Sequence, residues 1–183
     1  MNIKPRSDLA GSRLKQLPVW GAALLVLVYL QAYVADPYTP GNRSSGRLDW
    51  WNWWDQSHYL RSATALAHGV FAEPLHWYPL GYALLGAPFV AMSTGHPYLL
   101  PDLACLLLSY KAFLAFARSV GVGGNVAVCL FLLATCSNEA LRDVWVEPWN
   151  TTLSTALIWS LLALTARHVT QEQTGRGLSL IHI

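Results

Sequence analysis

Charge is scarce in this chain. Only 12% of its 183 residues are Asp, Glu, Lys or Arg, about half the share of an ordinary soluble domain, whereas 54% are hydrophobic. The net charge of +2 offers no basic surface to a nucleic acid, and no Lys/Arg cluster or nucleic-acid motif occurs. Cysteine is scarce as well. Cys105, Cys129 and Cys136 all lie in apolar stretches without Cys-x-x-Cys or Cys/His spacing, which reads as reduced, buried thiols and argues against a disulfide framework or a zinc site. His68, His76 and His96 likewise have no partner at metal-ligand spacing. Internal repeats and a soluble domain are both missing. What remains is apolar and aromatic, and it points to an all-α, polytopic membrane bundle.

The first apolar zone, Leu17–Ala35, follows Lys4, Arg6, Arg13 and Lys15. It is longer than the apolar core of a signal peptide, and Tyr33 stands where a small residue is wanted before a cleavage site, so it reads as an uncleaved transmembrane helix. A long loop, 36–78, comes next. Further membrane segments are expected at 79–95, 97–118, 121–137 and 149–166. The first of these, 79–95, is broken by Pro79, Gly81, Gly86 and Pro88 and reads as a kinked or re-entrant helix. Lys/Arg bias places the N-terminus, the Lys111–Arg118 end and the Arg167–Arg176 tail on the cytoplasmic side. Residues 36–78 and 137–150 then share the external face if 79–120 crosses once overall, as a dip plus a span; two full crossings by 79–92 and 98–118 would put Glu147 in the cytoplasm instead. "SLIHI" at the end resembles a translated adapter sequence, so residues 178–183 read as a non-native tail.

The external loop carries "WWNWWDQSHYLRSATALAHG". Tyr59, Leu60, Ala63, Leu66 and Ala67 recur at helical spacing, and Gly69 is a stop signal. Asp55 is then either the N-cap of a helix lying on the bilayer surface or a carboxylate held at headgroup depth to act as general base. Asp49 is a second loop carboxylate that no helical pattern fixes. Trp50, Trp51, Trp53 and Trp54 read as an aromatic belt or as a sugar-stacking platform. Farther along, Glu147 precedes Pro148 at a helix start, where it either complements the helix dipole or forms a second acid on the same face as Asp55. Asn42 and Asn150 begin glycosylation sequons, the latter close to the membrane.

The segments "WWDQSHYLRSATALAHG", "WYPLGYALLGAPF" and "VEPWNTTLSTALIWSLLALTAR" together resemble the N-terminal third of glycosyltransferase C superfamily enzymes. The nearest types are dolichyl-phosphate-mannose–protein mannosyltransferase-like and aminoarabinose-transferase-like. The resemblance covers about residues 17–170. It implies an inverting transfer of a sugar from a polyprenyl-phosphate donor to an acceptor hydroxyl, on a protein or a glycolipid, at the external (periplasmic) face of a bacterial membrane. Asp55 would be the catalytic base. Tyr59, Trp54, Tyr78 and Glu147 would bind substrate, with Arg61 meeting the phosphate. Glu147 would organise the site or a divalent cation, and no metal ligand is assigned. Leu80 stands where such enzymes often have a second Pro, and Trp77 and Tyr78 where some have an acid or Lys, which leaves metal dependence open. Such enzymes run to several hundred residues, so the chain is read as an N-terminal part of one.

Two other classes fit parts of the sequence. A transporter component would use Asp102 and Lys111 as intramembrane ionisable groups. A noncatalytic membrane scaffold would need none of the carboxylates.

Overall fold

The computed structural model describes residues 16–36, 38–39, 50–92 and 96–181. The N-terminal basic residues, together with Asn42, Arg43, Arg47, Asp49 and the last two residues of the tail, lie outside them. Every regular element among the described residues is helical: α1 (Leu17–Ala35), α2 (Trp54–Ala67), α3 (Leu80–Gly86), α4 (Leu99–Ser119), α5 (Gly124–Cys136), α6 (Glu139–Val146) and α7 (Asn150–Ile181). Short 3-10 turns at Trp50–Asn52, Glu73–Leu75 and Ala87–Phe89 link them.

Two of these helices, α1 and α4, are long and apolar enough to cross a bilayer. They run antiparallel, tied near both ends by tyrosines. Tyr29 donates to the Leu99 carbonyl at 2.9 Å, and Tyr110 to the Pro18 carbonyl at 3.0 Å. Both acceptors lie in the first turn of their helices, where a carbonyl oxygen has a second lone pair for a side-chain donor. On its other flank α4 packs along α7, with Phe113 and Phe116 closing on Trp159 at centroid distances of 4.8 and 5.7 Å.

Three segments differ from the sequence expectation. Helical structure in 79–95 covers only Leu80–Phe89, and α5 covers only Gly124–Cys136. At 1.5 Å per residue these reach about 15 and 20 Å, short of a hydrocarbon core of about 30 Å. The prolines and glycines that interrupt 79–95 account for the first, because Pro88 removes a backbone donor and crowds the preceding turn. The last helix, by contrast, does not stop at residue 166. Its apolar run ends there, but Arg, Gln and Glu are strong helix formers, and α7 continues to Ile181 through the backbone of the expected tail.

One end of the molecule gathers several termini. Ala35 and Asp36 after α1, Glu139 and Asp143 of α6, and Glu147 before α7 line one cavity. Both ends of the 79–98 segment return to α2: Tyr78 bonds Asp55, and Tyr98 donates to the Tyr59 carbonyl at 3.0 Å. The chain thus dips at α3 and comes back to the element it left. Gly86 permits the return, because a Cβ there would lie 2.5 Å from the Tyr98 ring.

Candidate functional site

The helix that carries Asp55 begins two residues earlier than a capping role for that aspartate requires. Trp53 is the N-cap, and Asp55 lies in the first turn with the acidic charge facing the positive end of the helix dipole. The C-terminus closes as the sequence suggests. Gly69 takes a φ of 69°, and the amides of Gly69 and Val70 bond back to the Leu66 and Ala65 carbonyls at 3.0 and 2.8 Å. Only glycine adopts that left-handed conformation without strain.

After Gly69 the chain folds back along α2 toward its start. His76 lies 2.8 Å from the Ser62 hydroxyl. Trp77 stacks on His58 with centroids 5.3 Å apart, and Tyr78 stacks on Tyr59 at 4.9 Å. The Tyr78 hydroxyl donates to Asp55 Oδ1. Asp55, Tyr59 and Ser62 stand at i, i+4 and i+7, one stripe of the helix, so a single returning segment meets all three.

This hydrogen bond to Asp55 is the largest influence raising the Tyr78 pKa above its usual value, with a side-chain bond from Trp54 opposing it. Burial, then the neighbouring Tyr78 and Asp55, push Tyr59 up to about 12. Both phenols therefore stay protonated at neutral pH. Tyr78 acts as a donor to Asp55 Oδ1, which leaves Oδ2 to face outward.

The tryptophans divide. Trp54 is 69% exposed and Trp77 is 65% exposed, and their rings meet edge to face at 6.1 Å beside His58. The Trp77 indole N–H is already used on the Pro74 carbonyl at 3.0 Å, so the ring presents an apolar face. Trp50, expected at the surface, is fully buried against His96 at 4.5 Å, and Trp53 packs edge-on against Tyr38 at 4.6 Å. Burial holds the His96 pKa down, to about 4. Its Nε2, 3.3 Å from the Val146 carbonyl, carries the proton, because the carbonyl can only accept.

Glu147 comes to the site through the residue after Asp55. Its Oε2 accepts from Trp149 Nε1 at 2.8 Å and from Gln56 Nε2 at 3.4 Å. Burial raises its pKa, opposed by the Trp149 bond and reinforced by the nearby Asp36 and Asp143 carboxylates. Asp36 is raised for the same leading reason, burial, against a bond from the Tyr38 amide. Asp36, Glu139, Asp143 and Glu147 line a cavity of about 180 Å³ with Tyr38 and Ala35. Among the described residues no three His, Cys, Asp or Glu side chains converge closely enough to hold one metal ion.

Trp54, Asp55, Tyr59 and Tyr78 therefore form one group, with Glu147 adjoining it. Arg61 does not join. Six residues beyond Asp55, it sits about 240° around the helix, exposed, with no hydrogen bond or ion pair among the described residues. Sequence reasoning gave no role to Gln56, the buried neighbour of Asp55 that bonds Glu147, or to Ser62 and His76. Polar residues on the apolar stripe of α2 were the available signal.

Asp102 is fully buried. It accepts from Tyr82 at 2.8 Å and Thr152 at 2.7 Å, while Lys111 is exposed, so the two do not form a relay. No protein-family model, curated protein or solved structure matches the chain.

Proposed function

We propose that the chain is a membrane-embedded glycosyltransferase component whose α2 end receives a sugar carried on a polyprenyl phosphate at the external face of the membrane. One observation carries this reading. A half-exposed carboxylate, Asp55, is held by a tyrosine and flanked by two exposed tryptophan faces, and the next residue, Gln56, donates to a second acid, Glu147. Aromatic faces stack on the apolar faces of sugar rings, and a fixed carboxylate beside them suits proton removal from a hydroxyl.

In this reading the acceptor hydroxyl gives its proton to Asp55 Oδ2 while its oxygen bonds to the anomeric carbon. The bond from that carbon to the phosphate oxygen breaks, and the polyprenyl phosphate leaves with the electron pair. Attack opposite the leaving group inverts the anomeric centre. Tyr78 keeps the carboxylate oriented. Trp54 and Trp77 hold the sugar, Tyr59 supports Tyr78, and Glu147 fixes Gln56 and the start of the last helix. The two helices apolar enough to cross a bilayer, α1 and α4, support a position of this end at the bilayer surface, next to the lipid chain of the donor. The resemblance of the three segments quoted above to glycosyltransferase C enzymes supports the same chemistry, and a divalent cation near Glu147 is compatible with it.

The test is transfer from a radiolabelled polyprenyl-phosphate sugar in proteoliposomes. Asp55→Asn is expected to lower transfer by about 10²- to 10⁴-fold while donor binding, read from tryptophan fluorescence, is kept. Wild-type transfer by Asp55→Asn rejects the assignment.

A further inference from the structure

His76 meets the chain at two places at once. Its Nε2 lies 3.2 Å from the Val70 carbonyl and its Nδ1 lies 2.8 Å from Ser62 Oγ. A carbonyl cannot donate, so Nε2 bears the proton. Nδ1 is then bare and accepts the Ser62 hydroxyl hydrogen. In the neutral ring the tautomer is set by the loop itself. Ser62 is 5% exposed, so this bond is made inside the protein, where an unmet hydroxyl is costly.

The spacing explains what the bond does. From Ser62 back to Asp55 is seven residues, about 10 Å along the helix axis. From His76 to Tyr78 is two residues, at most about 7 Å of chain. The phenol's own length covers the difference. With His76 held on Ser62, Tyr78 stacks on Tyr59 and donates to Asp55, and Trp77 lies on the neighbouring His58. A slip by one residue would present Trp77 to Asp55 instead and lose the hydroxyl.

We propose that His76 is a positioning residue, which through Ser62 sets the register of the returning loop so that Tyr78 reaches Asp55. This rests on the reading of Asp55 as the base, and the test separates the two. With 3-fluorotyrosine placed at position 78 in nanodisc-embedded protein, fluorine NMR follows the phenol's titration. Asp55→Asn defines the midpoint of a phenol without its carboxylate partner. His76→Phe and Ser62→Ala are expected to move the midpoint toward that value, and His76→Asn, which keeps an acceptor for Ser62, to stay near wild type. In the transfer assay His76→Phe is expected to lower kcat about tenfold with donor KM changed less than about twofold, the pattern of a group needed at the reacting centre and not for donor binding. Midpoints unchanged in both Ser62→Ala and His76→Phe, with helix content retained by circular dichroism, overturn the proposal whatever the transfer rate. Should His76→Phe fail to fold, Ser62→Ala decides alone. Midpoint shifts as expected in a wild-type protein that transfers no sugar uphold the positioning and overturn the transferase reading.

Discussion

Removing the Thr152 hydroxyl takes away one of the two donors that satisfy Asp102. The carboxyl has no water to turn to, so Thr152→Val, nearly the same shape, is expected to destabilise the protein by about 1–3 kcal/mol, read from thermal unfolding in detergent. A smaller effect than that of an exposed control such as Thr151→Val would mean that Asp102 finds another partner. Glu147 moves stability in a pH-dependent way. Its pKa is raised in the folded protein, so the native state holds the proton more tightly than the unfolded chain does. The stability it contributes is full below the unfolded value, about 4.3, and is lost as pH rises through the folded value. Glu147→Gln should therefore unfold at a higher temperature than wild type at pH 7, with the difference closing as the pH is lowered to about 4. An equal difference at both pH values would contradict that.

At the scale of elements, the close approach of α3 to Tyr98 carries its own prediction. A methyl at residue 86 would press on a ring stacked 4.2 Å from Tyr82 and pinned by its hydroxyl to Tyr59. Gly86→Ala is expected to cost about 1–3 kcal/mol, whereas Gly81→Ala, where nothing lies within 4 Å, should cost far less. Much of this scale was legible in the chain. The ends of α1 and α2 followed from an apolar run and from Gly69. The unequal lengths of α5 and α7 did not, since hydropathy measures burial in lipid and says little about where a helix of Arg, Gln and Glu stops. Within the site, Asp55 and Glu147 stood out as isolated acids beside helix starts. Arg61 enters through the family resemblance and the bidentate fit of a guanidinium to phosphate, and the rotation of α2 sets it on another face from Asp55. Ser62 carries no sequence signal and His76 reads only as a histidine without a metal partner, because their meaning is a contact fourteen residues apart, and sequence periodicity records a face without naming what covers it. Trp50 and Trp54 have the same composition and nearly the same address, yet one is buried and the other exposed, a distinction made only by the packing of His96.

For the molecule as a whole, the gathering of termini at one end is open to a sidedness test. In a background without native cysteines, a membrane-impermeant maleimide applied to one face of sealed vesicles is expected to label Glu73→Cys and Glu139→Cys together. Val120→Cys, at the far end of α4, should react only after permeabilisation. Labelling of 73 and 139 from opposite faces would break the shared-end architecture and with it the pairing of Asp55 and Glu147.

The folded-back loop has a consequence for how the chain matures. Its ties to α2 close over only 14 and 23 residues, and short closures are entropically cheap and fast. The carboxylate and its phenol can therefore meet while α4 to α7 are still being synthesised, so that a chain emerging from the ribosome acquires its reactive corner before its scaffold. Pulse-labelled amide exchange should accordingly protect residues 55–78 ahead of the interface between α4 and α7.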